Sequence, residues 1–359
     1  VSAADETVGF APPNGRLAIL GPGDADRLPI PFKDYLVRPD GIADWAVHIP
    51  VDALDRDLPP DALALLRAGR PAEAATALAC DARPTDSPAC SLIAVALNRR
   101  GAMRAIAGSP DPRDGGGWIA RSYVHQGLGD LDAALAAAAA ASPETPWTRA
   151  RLAEMQLLVG DPSAALRTLG PAPAGCDDIG HLSAVRGFAA LSTHDHGAAA
   201  AAFDCAIAAT PAAPLPWLGQ GLLKIRAGRL AEGRASLETA LSLDPRRGMI
   251  RTWLGRAFVD EGYGDKAAAQ FALARREDPD DPTPDLFAAL ERFGANDPVA
   301  ALRLVEDAGD RGDRRASLRS ARGLSEDRAV VGAALGRIYQ VLGFDSLAIA
   351  EAAPVRHAA

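Results

Sequence analysis

The chain has 359 residues, a formal charge of −8 and a 48% hydrophobic content. That is the make-up of a folded protein, and it lacks the excess of Lys and Arg that marks a nucleic-acid binder. Its longest purely apolar run, Ala133 to Ala141, is far short of the roughly 20 residues needed to cross a bilayer.

Residues 1–58 hold Pro12, Pro13, Pro22, Pro29, Pro31, Pro39 and Pro50, with short apolar runs at Leu17 to Leu20 and Trp45 to Ile49. Such runs suit extended chain and not helix, so this part reads as a non-repeat arm. The string Leu20-Gly-Pro-Gly-Asp24 is similar to one in outer-membrane polysaccharide export proteins, and reads here as a plain turn. A start at Val1 suits a processed mature form or a trimmed chain.

From 59 to 110, Leu63 to Gly69 followed by Ala72 to Leu78 predicts a degenerate helical unit. Tyr123, Gly129, Asp130, Ala134, Ala141 and Pro146 outline another. Trp147, Gly160, Asp161, Ala165 and Leu169 outline a third. A strict beat follows. Pro211, Pro245 and Pro279 stand 34 residues apart, as do Gly187, Gly221 and Gly255, and Phe203, Leu237 and Phe271. Ala206, Ala240 and Ala274 keep the same interval, as do Gly228 and Gly262. Small residues let two helices approach, large ones fill the space between units, and proline ends the second helix because it lacks an N–H. The array is expected over 115–279, clearest over 180–279. Leu286 to Ala308 reads as helical but out of phase, within a 280–328 segment that ends in an Arg-rich linker. Leu335, Gly336, Tyr339, Gly343 and Ala348 return to the pattern in a C-terminal unit and tail over 329–359.

A 34-residue period of this content predicts stacked helical hairpins, and the residues resemble the tetratricopeptide repeat family. The best unit is Gly248 to Asp281, with Leu254, Gly255, Phe258, Gly262, Ala267, Phe271, Ala274 and Pro279. The resemblance implies an all-α, right-handed superhelical solenoid. It also implies an inner groove lined by fixed first-helix positions. By register these are His181, Ala184, Phe188, Leu191 and Ser192, then Leu215, Leu218, Leu222, Ile225 and Arg226, then Met249, Thr252, Arg256, Val259 and Asp260. This stripe is expected to be exposed, apolar in its middle, and suited to an amphipathic helix or extended peptide of a protein partner. Family members that hold chaperone C-terminal carboxylates use paired Asn and Lys on this face, and this chain has neither there.

Four cysteines bear on the compartment. Cys80 and Cys90 enclose a short stretch with Pro84 and Pro88, read as poorly suited to helix. Cys176 precedes a repeat and Cys205 lies on that repeat's second helix. Two disulfides, Cys80–Cys90 and Cys176–Cys205, are the reading that suits an oxidising space such as the periplasm of a Gram-negative bacterium. Four reduced, buried cysteines are the alternative.

Catalytic signals are thin. His194-Asp195-His196 could suggest a metal site, but adjacent turn residues rarely converge on one ion, and a solvated turn is the better reading. His48, His125, His181 and His357 have no partner assigned by the sequence. Trp118, Trp147, Trp217 and Trp253 mostly fall in first helices, where core packing is the default. No P-loop, nucleophile elbow or dinucleotide fingerprint occurs, and no cofactor, metal or nucleic acid is expected. Arg311, Arg314, Arg315, Arg319 and Arg322 form a second candidate surface, for an acidic partner or phosphate-bearing lipid heads, with a solvated face as the plainer reading. The functional expectation is a non-enzymatic scaffold in an envelope assembly for secretion, pili or polysaccharide export. It is expected to lack a transmembrane span and to associate with an outer-membrane complex. An accessory region of an enzyme and a cytosolic adaptor stay open beside it.

Overall fold

The computed structural model describes residues 58–315, apart from 68–70, 83–86, 98, 142–144, 174, 177–178, 246 and 280, together with 332 and 334–355. Residues 1–57 of the N-terminal arm, with His48, lie outside the described residues, as do Arg319, Arg322 and His357. Every described element is a helix, and no described helix is long and apolar enough to cross a membrane.

The helices come in antiparallel pairs. Two short pairs, α1 (Pro60–Arg67) with α2 (Pro71–Ala77) and α3 (Pro88–Ala96) with α4 (Arg100–Ala107), open the stack. Then come α5 (Gly115–Leu128) with α6 (Leu131–Ala140), α7 (Pro146–Leu158) with α8 (Pro162–Leu169), and α9 (Gly180–Ser192) with α10 (His196–Ala209). The array continues through α11 (Pro214–Arg226) with α12 (Leu230–Leu243), α13 (Gly248–Asp260) with α14 (Gly264–Glu277), and α15 (Thr283–Gly294) with α16 (Pro298–Arg315). A helix over 334–341 (α17) and α18 (Asp345–Val355) close it.

From α5 onward, each hairpin turns on one residue in the left-handed region. These are Gly129, Gly160, His194, Gly228, Gly262, Asn296 and Gly343, with φ between 61° and 88°. The next amide then reaches back to a carbonyl in the last turn of the first helix, as in Asp195 N to Ala190 O and Arg229 N to Lys224 O, each 2.9 Å. This closes the orphan carbonyls of the helix end. Asp130, Asp161, Asp195 and Asp297 then cap the second helices by accepting from Ala133, Ala164, Ala198 and Ala300 N at 2.8–3.1 Å. Such a cap contributes about 1 kcal/mol.

The turns correct the expected loss of phase after 279. Gly160, His194, Gly228, Gly262 and Asn296 are each 34 residues apart, so α15 and α16 stand in register with the array. What changes is residue identity. Asn replaces Gly at the turn, because its short polar side chain tolerates the left-handed conformation. Ala289 takes the place of Gly255 and Val305 that of Phe271, so a larger small residue faces a smaller large one. Ala289, Ala301, Val305 and Ala308 are all buried. His194 likewise takes the left-handed turn conformation, φ 65°, at the place where later hairpins carry Gly228 and Gly262.

Inside α9–α10 and α13–α14 the same contact recurs. The Phe203 ring lies against Gly187, where an added Cβ would sit 2.5 Å from its Cε1, and the Phe271 ring lies against Gly255 at 2.6 Å by the same measure. Burying each ring contributes on the order of 2–3 kcal/mol. In α5 the small position is Ser122, whose hydroxyl donates to Ala134 O at 2.7 Å.

Two disulfides tie the connections down. Cys80–Cys90 joins the end of α2 to the first turn of α3, with Cα atoms 5.2 Å apart. Cys176–Cys205 joins the α8–α9 connection to α10, with Cα atoms 5.0 Å apart. No cysteine is left free among the described residues. The expectation that the Pro88 stretch resists helix is corrected: Pro88 opens α3 behind a Ser87 cap, and proline suits that first position, where its missing N–H costs nothing.

Candidate functional site

The first helices present one row of side chains at the repeat interval: Glu154, Phe188, Leu222, Arg256 and Leu290. Accessibility rises along it. Glu154 is buried, Phe188, Leu222 and Arg256 are half-buried, and Leu290 is 51% exposed. The row is thus filled at its N-terminal end and open toward its C-terminal end.

Among the groove residues read from the sequence, His181, Phe188, Leu222, Ile225, Met249, Arg256, Val259 and Asp260 are half-buried, and Ser192 and Arg226 are exposed. Ala184, Leu191, Leu215, Leu218 and Thr252 are buried, which corrects the picture of a continuous exposed stripe. The reason is contact between successive first helices. Leu215 and Leu218 pack into the cluster that holds Ile250, Leu254 and Phe258, and Leu191 packs beside Phe203 and Leu223. The Thr252 hydroxyl donates to Gly248 O at 3.0 Å within its own helix.

The two arginines are not equivalent. Arg226 is exposed and donates Nη1 to Leu191 O at 3.2 Å. Arg256 is paired with Asp260 at 2.8 Å, and its guanidinium carbon lies 5.7 Å from the Phe287 ring centre.

At the N-terminal end, a polar cluster that sequence reasoning missed fills the space between α5, α7 and α9. Arg151 donates Nε to Ser122 Oγ (2.9 Å), Nη1 to Glu154 Oε2 (2.9 Å) and Nη2 to Gln126 Oε1 (2.8 Å). Its guanidinium carbon also lies 3.6 Å from the Tyr123 ring centre, and the Tyr123 hydroxyl donates to Glu154 Oε2 at 3.2 Å. Burial, and then the Glu154 charge, push the Tyr123 hydroxyl far above its ordinary pKa. His181 stacks on Trp147 with ring centres 6.3 Å apart. Burial holds its pKa below the usual value, with Glu154 opposing and Arg151 assisting. The signal for this cluster was available: extending the 34-residue register back from Phe188 lands on Glu154, a carboxylate at an otherwise apolar position.

In the His194-Asp195-His196 turn all three residues are exposed, and the Asp195 carboxylate caps α10 by accepting from Ala198 N. No group of three or more His, Cys, Asp or Glu that could hold a metal occurs among the described residues. His125 is half-buried, and burial lowers its pKa against the pull of Asp130. Trp217 is buried and donates Nε1 to Pro211 O at 2.9 Å. Arg311 is corrected as part of a free basic surface. It forms an ion pair with buried Asp285 at 2.7 Å and donates to Pro279 O, while Arg275 meets the same carboxylate at 2.7 Å. Burial raises the Asp285 pKa and the two guanidiniums pull it back. The side chains of Arg314 and Arg315 lie outside the described residues.

No family model matches the chain, and no curated protein matches it either. Solved structures do. The Cut9–Hcn1 hetero-tetramer of APC/C superposes with a TM-score of 0.56 at 14% identity, over 76% of this chain and 53% of that one. The human IFIT1 dimer with PPP-AAAA gives 0.51 at 14% identity, over 83% of this chain and 81% of that one. TTC0263, a thermophilic TPR protein of Thermus thermophilus, gives 0.45 at 23% identity, over 50% of this chain and 99% of that one. The chain has the tetratricopeptide-repeat fold. Its tetratricopeptide register is what places Glu154, Phe188, Leu222, Arg256 and Leu290 in one row, so the face is a property of the repeat and not of any single hairpin.

Proposed function

We propose that this chain is a non-enzymatic tetratricopeptide scaffold that holds a protein partner along its first-helix face, C-terminal to the Tyr123–Arg151–Glu154 cluster. The observation that carries the reading is the graded row from Phe188 through Leu222 and Arg256 to Leu290. It offers apolar side chains at a helical-repeat spacing, with Ile225, Met249 and Val259 beside them. An amphipathic helix or an extended peptide with apolar anchors matches such a face. The exposed Arg226 favours an acidic residue at that edge, whereas Arg256 is already neutralised by Asp260.

The proposed compartment rests on the cystines. Two disulfides that take up all four cysteines support an oxidising space, and we place the scaffold in a bacterial envelope assembly on that ground. The test is capture of partners from a native envelope extract by the 359-residue chain, beside the double variant Leu222→Glu/Leu290→Glu. Partners held by the wild type and lost by a variant of unchanged circular dichroism support the proposal. Partners retained by the variant place the contact elsewhere, and recovery of the wild type with no copurifying protein removes the envelope reading.

A further inference from the structure

We infer that Cys176–Cys205 is a thiol-exchange site of the folded chain. A dithiol reductant opens it while Cys80–Cys90 stays closed, and the opening releases the α8–α9 connection from α10 without unfolding the array. The two cystines stand in different surroundings. Cys80 is 5% exposed and Cys90 3%, and both belong to a buried cluster with Ala74, Ala75, Leu92 and Ile93. Cys176 is exposed, as are Gly175 beside it and Pro171, Ala172 and Pro173 earlier in the same connection, and Cys205 is half-buried. A disulfide exchanges when a thiolate reaches one of its sulfurs, so access decides which bond opens first, and exposed cystines are the ones that folded proteins use as regulatory or catalytic bonds. A covered cystine exchanges only when the cluster around it opens.

The exchange runs in two steps. A thiolate of the dithiol attacks Cys176 Sγ, forming a mixed disulfide and expelling the Cys205 thiolate, which takes up a proton. The second thiol of the reductant loses its proton and attacks the reductant's own sulfur in that mixed disulfide. This closes the reductant's disulfide and expels the Cys176 thiolate, which is protonated in turn. The dithiol is oxidised by two electrons and the cystine reduced by two. What the bond holds is local. Without it, Arg186 in α9 still donates Nη1 to Gly170 O at 2.7 Å and Nη2 to Leu169 O at 3.2 Å. Helices α8 and α9 stay packed through buried Ala165, Leu169, Leu182, Val185 and Ala189. The start of α9 depends on the bond more. Ile179 at its N-cap gives the first-turn amides no side-chain acceptor, so that turn lacks a common means of holding a helix end. Gly180 sits directly on Thr210 at the end of α10, where an added Cβ would lie 2.3 Å from the Thr210 Oγ1. Cys176–Cys205 is the covalent tie that keeps this entry on α10. Opening it loosens the connection and the first turn of α9, which carries His181, and leaves the hairpins folded. The inference makes no use of the first-helix row, so it stands or falls apart from the scaffold reading.

The test exposes the folded 359-residue chain to dithiothreitol without denaturant, blocks free thiols with excess iodoacetamide at timed intervals, and locates the labelled cysteines by peptide mass mapping. The expected result is labelling of Cys176 and Cys205 at least about tenfold faster than of Cys80 and Cys90, with the helical circular dichroism unchanged. Amide hydrogen exchange of the opened chain quickens in the first turn of α9 and not in the middle of α7, α10 or α11. Cys176→Ser/Cys205→Ser gives that same exchange pattern with no reductant present. Opening of both cystines at one rate overturns the proposal, as does a Cys176–Cys205 bond that opens only at urea concentrations that unfold the chain. Loss of helical signal on opening, or hydrogen exchange that is unchanged at the start of α9, overturns it as well.

Discussion

Gly219→Ala probes the packing between successive hairpins most directly. Gly219 lies in α11, and a Cβ added there would sit 2.2 Å from both Cε1 and Cζ of Phe203 in the preceding hairpin. Ordinary carbon contacts are about 3.5–4.0 Å, so the ring would have to retreat by more than about 1 Å. It has nowhere to go: on its other side an added Cβ at Gly187 would already be 2.5 Å away, and Phe188 meets it edge-on with ring centres 5.1 Å apart. Overpacking of this kind costs about 1–3 kcal/mol, against a helix-propensity gain of about 1 kcal/mol for Ala over Gly. The expected outcome is a net loss of stability, read as a lower urea midpoint by circular dichroism. In a Phe203→Leu background the clash is relieved and the same substitution becomes neutral or stabilising. Gly101→Ala, with nothing within 4 Å of the new methyl, serves as the control and gains up to about 1 kcal/mol. If Gly219→Ala stabilises as Gly101→Ala does, or its effect is the same with and without Phe203, the packing argument is wrong.

Three further outcomes are expected. Arg151→Met leaves the Glu154 carboxylate buried without its partner and costs about 3–5 kcal/mol, whereas Arg151→Met/Glu154→Leu recovers much of that; equal losses in the two variants would show that the pair is not electrostatically coupled. His181 has a folded pKa depressed by burial, so its contribution to stability is present above the unfolded value of about 6.5. That contribution is lost as pH falls through the folded pKa. An NMR titration should give a midpoint below that of a free imidazole, and His181→Gln should flatten the acid limb of the stability profile. Alkylation of the denatured, unreduced chain should label no cysteine. Reduction should cost about 3 kcal/mol for the Cys80–Cys90 loop and about 3.6 kcal/mol for the longer Cys176–Cys205 loop on the chain-entropy account; labelling of all four thiols would refute both bridges.

The two cystines were readable from the sequence because the cysteine count is even, Cys80 and Cys90 stand only ten residues apart, and Cys176 directly precedes the repeat whose second helix carries Cys205. The turn at His194 was harder, since a residue other than glycine hides a left-handed conformation that only backbone geometry reveals. The Arg151 network was hidden for a different reason. Ser122, Tyr123 and Gln126 lie one hairpin before Arg151 and Glu154, so no local pattern joins them. Only the stacking of α5 on α7 gathers these side chains around one buried guanidinium and satisfies its charge.

Period, hairpin architecture and the places of the turns are properties of the chain as a string, because each depends on contacts within a few residues or on small and large residues repeating at one interval. Whether a given first-helix residue is open or covered depends on how closely the next hairpin sits. That is why Leu218 is buried while Leu222, one helical turn away, stays half-accessible. The phase of α15 and α16 was likewise decided in three dimensions. Asn296, Ala289 and Val305 do the work of Gly262, Gly255 and Phe271 with different side chains, and it is shared volume and backbone conformation, not residue identity, that a helical stack preserves.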